Sequence, residues 1–271
     1  MGKQQVLIRK IENKGSFVRA FKEVFASLKS VKEYRLYGYF IIPFLLNIII
    51  LSFMIYFSYN NILPLSTHAI TGEGIFFDIL RRLLAPLILI ALSIVTIFIY
   101  SIIGTIITAP FNDILSEKLE EKLTGEKFNE KFSFSAFFED IFRVLKNILK
   151  LLIAILIINI LLLLLNFLPL IGTVMYTILS FIVTLFFLGF QFYDYPLERR
   201  KQTFGQKIKT LMYFKMQVLG LGLGFMVLSL IPIVGFLGLN MATIGATVMF
   251  VEYIKPALIP ESETTNIAKT E

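Results

Sequence analysis

The sequence has no cysteine, no tryptophan and one histidine, and only 17% of its residues are charged. Without cysteine there is no disulfide framework, thiolate metal site or cysteine nucleophile, and His68 alone cannot build an imidazole metal cluster. No metal and no cofactor are expected. The scarcity of charge excludes most soluble classes, because a soluble domain carries about a quarter charged residues and cannot hide this much apolar surface in one core. What the chain does have is 56% hydrophobic and 14% aromatic residues over its 271 positions, with a mean hydropathy of +0.78. It reads as an all-α integral membrane protein. The net charge of +7 then reflects basic loops held on the cytoplasmic side rather than a surface for nucleic acid.

Two runs free of charge, Leu36 to Phe57 and Leu83 to Thr108, are 22 and 26 residues long. At about 1.5 Å per residue each exceeds a hydrocarbon core of roughly 30 Å, so both predict transmembrane helices. Pro86 falls in the first turn of the second run, where a missing N–H costs little. Residues 1–35 hold no apolar stretch of the signal-peptide kind, which makes the first helix an uncleaved anchor.

The remaining apolar mass forms two hairpins with the same punctuation. Residues 151–168 lead to Pro169-Leu170-Ile171-Gly172 and then to 173–192; residues 216–231 lead to Pro232-Ile233-Val234-Gly235 and then to 236–251. The repeat offset is 63 residues. Proline and glycine are the expected breakers, but neither turn contains a polar residue, and a turn entering water would normally have one. The 16-residue limbs of the second hairpin reach only about 24 Å. The reading favoured is partial penetration, with six full crossings as the alternative. Partial penetration leaves the tip backbone to be satisfied by protein or a wet cavity, which predicts packing between hairpins or between copies in a homo-oligomer.

Orientation is the same either way. Lysine and arginine number nine in residues 1–35, two in 58–82, seven in 109–150, six in 194–215 and two in 252–271. Only the 58–82 loop lies opposite the others, so the positive-inside rule puts the N-terminus, the basic loops and the C-terminus in the cytoplasm. Residues 1–260 are expected to form one membrane domain, with a cytoplasmic helical region at 109–150, a basic loop at 193–215 and a polar, disordered tail at 261–271.

In the 1–35 segment, Phe17, Phe21, Val24, Phe25, Leu28 and Val31 share a helical face, with Arg19, Lys22, Lys29 and Lys32 off it. This is the pattern of an interfacial helix on anionic headgroups, a partner-protein groove being the rival reading. A second amphipathic helix is expected from Asn112 to Thr124, with Ile114, Leu115, Leu119 and Leu123 inward and Gly125 as its stop. A third begins near Ser135 and runs into the first hairpin.

No apolar segment carries a charge away from its ends, which argues against ion-coupled pumping and for a passive pathway or a scaffold. The buried polar groups expected are Asn47, Asn159, Asn166, Gln217, Asn240, Thr243 and the run Ser93, Thr96, Ser101, Thr105 and Thr108, with bonding between helices as their commoner use. Gly220 and Gly224 form a small-xxx-small spacing that Gly238, Ala242 and Ala246 repeat, so these five residues are expected to pack helices closely and to make the second hairpin the packed centre. A phosphate-loop reading of residues 220–224 fails for want of a strand and a lysine. The Leu161 to Leu165 run marks the first hairpin as lipid-facing. The second limb of each hairpin is expected to begin just after Gly172 or Gly235, so two helix dipoles could point into the membrane and contact an anion near Gly172, Thr173 and Gly235, with Asn240 nearby. The segment Ala109-Pro110-Phe111-Asn112-Asp113 is read as the end of one helix and the start of the next, capped by Asn112. Arg199, Arg200 and Lys201 are read as a positive-inside cluster. Glu139 and Asp140 have no nucleophile or metal partner, so no enzyme activity is expected.

Taken in order, five pieces resemble the CysZ / etoposide-induced protein 2.4 family: Ile42-Pro43-Phe44-Leu45-Leu46-Asn47; Ala109 to Asp113 with Ser116-Glu117-Lys118; the Pro169 to Gly172 turn; Asp194-Tyr195-Pro196 with Arg199-Arg200; and Gly245-Ala246-Thr247. The resemblance implies two long transmembrane helices, two partly inserted hairpins, oligomerisation and, for the bacterial proteins, sulfate uptake across the inner membrane for cysteine synthesis. Sulfate-transporting members tend to carry Gly-Leu-Arg just before the first transmembrane helix. This chain reads Arg35-Leu36-Tyr37-Gly38 there, so Arg35 supplies the nearby cation. Two functions follow: a permease or channel-like protein for a small inorganic anion, or a membrane-organising or partner-binding protein of the same fold without transport.

Overall fold

The computed structural model describes residues 15–62, 64, 72, 74–128, 134–168 and 171–258. His68, Pro169, Leu170 and the tail expected to be disordered lie outside these. The described residues contain no strand. Eight α-helices follow in order: α1 (Phe17–Glu33), α2 (Tyr37–Phe57), α3 (Ile75–Thr124), α4 (Phe134–Leu163), α5 (Gly172–Arg199), α6 (Phe204–Tyr213), α7 (Lys215–Ser229) and α8 (Pro232–Met249). A π turn, Ser58–Ile62, extends α2; a π turn, Phe250–Ile254, and a 3₁₀ turn, Lys255–Ala257, extend α8.

Five stretches are long and apolar enough to cross a bilayer: Tyr37–Asn61, Ile75–Ile99, Leu149–Phe167, Gly172–Arg199 and Leu237–Ala257. Helices α6 and α7, bent by 95° at their junction, add a sixth if taken together. The protein is an all-α integral membrane protein.

Local chemistry sets the helix ends. Ser16 caps α1 by accepting the Arg19 N–H at 3.1 Å. Thr203 and Gln206 form a capping box at the start of α6, with Thr203 N–H donating to Gln206 Oε1 at 2.7 Å. Gly125 ends α3 in the left-handed region (φ 74°), its N–H returning to the Glu121 carbonyl at 2.9 Å, as its position in the sequence predicts.

One predicted boundary is wrong. Helix α3 runs unbroken through Pro86 and Pro110 for 50 residues, about 75 Å, so Asn112 lies mid-helix, 2% exposed, and caps nothing. Neither proline sits in a first turn. Membrane helices tolerate interior proline because neighbouring groups re-satisfy the freed carbonyl, an allowance that rules derived from soluble helices do not make.

The chain divides into two compact units, Met1–Phe40 with Phe111–Glu271, and Ile41–Pro110. In the second, Asn47 donates to the Pro43 carbonyl at 3.1 Å, satisfying its amide within α2.

The first unit is organised around α7, which lies between α1 and α5. A Cβ added to Gly220 would overlap the Phe17 carbonyl oxygen, and one on Gly224 would lie 2.9 Å from Val24 Cγ2, so this pair seats α1. Two residues on, a Cβ at Gly222 would overlap the Leu185 carbonyl and one at Gly189 the Val218 carbonyl, so α5 approaches just as closely on the other side. In lipid there is no hydrophobic drive between helices; close backbone approach through small residues supplies the dispersion contacts instead. Helix α8 completes the packing: Ala242 and Ala246 are fully buried, and a Cβ on Gly245 would lie 3.2 Å from the Val24 N. Gly238 stands one layer away, its Cβ position 3.3 Å from Leu228 Cβ.

This packing revises the expected face of α1. Its buried stripe is Ala20, Val24, Ser27 and Val31, while Phe25 and Leu28 stay exposed. Only small and β-branched residues fit against a glycine-bearing helix, so the bulky apolar residues are turned outward.

Gly→Ala normally stabilises a helix by up to about 1 kcal/mol, and Gly205, with nothing near its Cβ position, should follow that rule. Gly220→Ala should invert it, destabilising by about 1–3 kcal/mol because backbone must move. Thermal melts followed by circular dichroism in detergent compare the two variants directly.

Candidate functional site

Beyond its apolar stretch, α3 carries Asp113, Ser116 and Glu120 at spacings of three and four, which align them on one face. The last turn of α5 brings Arg199 and Arg200 to that face. Arg199 donates to Asp113 Oδ1 at 2.6 Å, Ser116 Oγ at 2.8 Å and Glu120 Oε2 at 3.0 Å. Arg200 pairs with Glu120 Oε1 and also donates to the Pro196 carbonyl at 2.8 Å. Lys255, in the turn after α8, stands 3.8 Å from Glu120 Oε1 and 2.6 Å from Glu126. The side chain of Glu120 is 0% exposed. The Arg200 guanidinium lies 4.4 Å from the Phe250 ring centre, a cation–π contact that closes its other face. Thr247 donates to Ser116 Oγ at 2.8 Å, so α8 joins the same cluster.

The cluster ties α3, α5 and the turn after α8 together through one carboxylate, with α8 joined through Ser116. Burial pushes the Glu120 carboxyl up, but the hydrogen bonds and charges of Arg200 and Arg199 outweigh it and hold the group below the usual carboxylate range. A second ion group lies beside it: Lys207 of α6, almost wholly buried, pairs with Asp194 at 2.5 Å and with Glu198. Arg199 and Arg200, read from the sequence as a positive-inside cluster, are thus also engaged in a network of ion pairs. The signal was present in the spacing of Asp113, Ser116 and Glu120, but the expected break at Asn112 hid that they share a helix face.

Of the residues picked from the sequence as anion contacts, Arg35 is exposed and sits at φ 55°, the left-handed position that follows α1. Leu36 N–H returns to the Val31 carbonyl at 3.0 Å, and both side chains are buried, which is the geometry of a Schellman stop with Arg35 where glycine is usual. Gly172 is the first residue of α5, buried, with no room for a Cβ beside the Leu165 carbonyl. Thr173 is exposed. Gly235 lies inside α8, which begins at Pro232 and not after the glycine, because proline at a first helical position has no N–H to lose. Asn240, 1% exposed, donates to the Phe40 carbonyl at 2.7 Å. Gly172 and Thr173 thus share α5, Gly235 and Asn240 share α8, and Arg35 lies between α1 and α2.

Of the other polar groups expected to bond between helices, Gln217 does so and two bond within their own helix. Tyr193 donates to Gln217 Oε1 at 3.3 Å across α5 and α7, while Thr243 and Asn159 return to carbonyls four residues back. Among the described residues no group of three or more His, Cys, Asp or Glu could hold a metal ion.

The fold and the buried charge cluster define a polytopic helical membrane protein whose charged residues gather at the ends of its apolar spans. The chain belongs to the family described as "Sulfate transporter CysZ/Etoposide-induced protein 2.4", which matches residues 20–239. It is 31% identical to the Sulfate transporter CysZ of Vibrio parahaemolyticus serotype O3:K6 over 215 residues, 79% of this chain and 87% of the relative. It is 28% identical to that of Vibrio cholerae serotype O1 over 79% of this chain and 86% of the relative. The corresponding protein of Pseudomonas aeruginosa is 25% identical over 83% of this chain and 91% of its own length.

Removing the Glu120 charge leaves the half-buried Arg200 without its carboxylate and Arg199 with the Asp113 carboxylate alone, so Glu120→Gln should cost about 3 kcal/mol. Because the folded pKa of Glu120 is depressed, its contribution is complete above the unfolded carboxylate value of about 4.3 and is lost as pH falls through the folded one. Melting curves from pH 7 to pH 3 should show an acid loss of stability that is smaller in Glu120→Gln than in the wild type, the other carboxylate pairs being common to both.

Proposed function

We infer that this protein is an inner-membrane permease for a small inorganic anion, and that the anion is sulfate. The observation that carries this reading is the kinship with proteins named as sulfate transporters along four-fifths of the chain and nearly all of theirs. The arrangement of charge supports it. Away from their ends the described spans carry no charged residue of the kind that drives proton or sodium coupling, which supports a passive flow down the gradient maintained by cytoplasmic consumption. Arg35, exposed where α1 meets α2, is the first cation offered to an anion, with the positive dipole ends of α5, at Gly172 and Thr173, and of α8, near Gly235, as its further attraction. Asn240 keeps the approach to α2 in place through the Phe40 carbonyl. The permease is read as working as a homo-oligomer, in which neighbouring copies cover hairpin tips that lipid cannot satisfy.

Uptake of radiolabelled sulfate into proteoliposomes tests the reading. Wild-type protein should exceed protein-free vesicles by at least about tenfold, and Arg35→Ala should lower the initial rate several-fold by removing a charge-assisted contact. Uptake no faster than into protein-free vesicles overturns the function. Full uptake in Arg35→Ala overturns only the role of that residue.

A further inference from the structure

With Ala20, Val24, Ser27 and Val31 committed to α7 and α8, helix α1 has a second apolar surface that no described residue buries. Val18, Phe25 and Leu28 are 56%, 39% and 50% exposed. At 100° per residue they share an arc of about 120° with Lys22, Lys29 and Lys32, and the arc lies to one side of the buried stripe. All three lysines are exposed, and none makes an ion pair among the described residues. Arg19, on the opposite flank, is paired with Glu252 at 2.8 Å and lies over the Tyr253 ring, so the free basic charge is confined to the apolar arc.

We propose that this outward arc of α1 is a docking surface for anionic phospholipid. Three observations select that occupant. Only Tyr34, Arg35 and Leu36 separate α1 from α2, whose Tyr37–Asn61 stretch is a membrane span, so the end of α1 is held at headgroup level. Tyr37 and Tyr39, 49% and 42% exposed, are interfacial aromatics at that level. The arc combines apolar bulk with lysines whose long stems let the ammonium reach headgroup phosphates while the rings and aliphatic groups enter the acyl boundary. A second copy is the poorer fit, since an isologous contact would set the same three lysines against each other. Positive-inside orientation places the arc on the leaflet that carries the negative surface potential. Anionic lipid would hold α1 against the bilayer surface and so steady the seat of α7.

The chain has no tryptophan, so Phe25→Trp puts a single indole on this face. The full-length variant is placed in nanodiscs of equal phosphatidylglycerol and phosphatidylcholine, with the acyl chains of one lipid or the other brominated. Expected is blue-shifted emission, quenched about twofold or more strongly by brominated phosphatidylglycerol than by brominated phosphatidylcholine. That preference should vanish when Lys22→Gln, Lys29→Gln and Lys32→Gln are combined and persist when the same three become Arg, the arginine form also confirming an intact fold. Equal quenching by the two lipids, or quenching by neither, as when protein or water covers the face, overturns the proposal.

Discussion

The close passage of α7 between two other helices is the constraint on which the larger unit depends. Lipid tails are as apolar as leucine, so helices in a bilayer gain little from apolar burial as such and must gain from contact density. Gly220 and Gly224 open one side of α7 to α1, and Gly222 with Gly189 opens the other to α5, in each case down to contact with backbone carbonyls. A run of alternating Gly and Leu is a poor helix on propensity alone. It is retained here because a side chain on either face would push away a neighbour. That geometry also decides which residues of α1 face inward, and therefore which are left for the membrane surface.

Buried charge does a different job. Glu120 holds Arg199 and Arg200, and through them α3, α5 and the turns after α8, beside the buried Leu115 and Leu119. Burying an ion pair adds little net stability compared with an apolar replacement, whereas losing one partner is costly. The cluster therefore acts less as a source of stability than as a penalty on misalignment: slippage of α3 by one residue would take Asp113, Ser116 and Glu120 off the arginines together.

Fold class was legible in composition, and the close packing around Gly220 and Gly224 was legible in spacing. What escaped was mostly a matter of continuity. Pro110 and Asn112 look like a stop and a start because local rules are calibrated on water-exposed helix ends, whereas inside a packed membrane protein the chain carries on. With the helix broken on paper, Glu120 had no visible relation to Arg199, 79 residues away. The α1 face was misread for a related reason: hydrophobic periodicity finds an apolar side but cannot tell close-packed small residues from large residues left to lipid. Arg35 in a left-handed conformation is equally invisible, since the residue type argues against it.

The two hairpins show how far the same punctuation can diverge. Both carry Pro-apolar-apolar-Gly in the sequence, and in the second that segment is the first turn of α8; yet α4 and α5 are 30 and 28 residues long, about 45 and 42 Å, while α7 is 15 residues, about 22 Å. The first pair can reach across a hydrocarbon core; α7 alone cannot. Burial follows the same division, with 0% of the best apolar window buried in Leu149–Phe167 and 72% in Leu237–Ala257. A helix that crosses completely leaves its polar ends in the interface and can show leucine and isoleucine to lipid along its whole length. One that stops short brings unsatisfied backbone into a place without water, and it is viable only if protein surrounds it. The glycine, alanine and threonine of the second hairpin are what allow that enclosure, so residue size, more than hydrophobicity, separates the lipid-facing hairpin from the enclosed one.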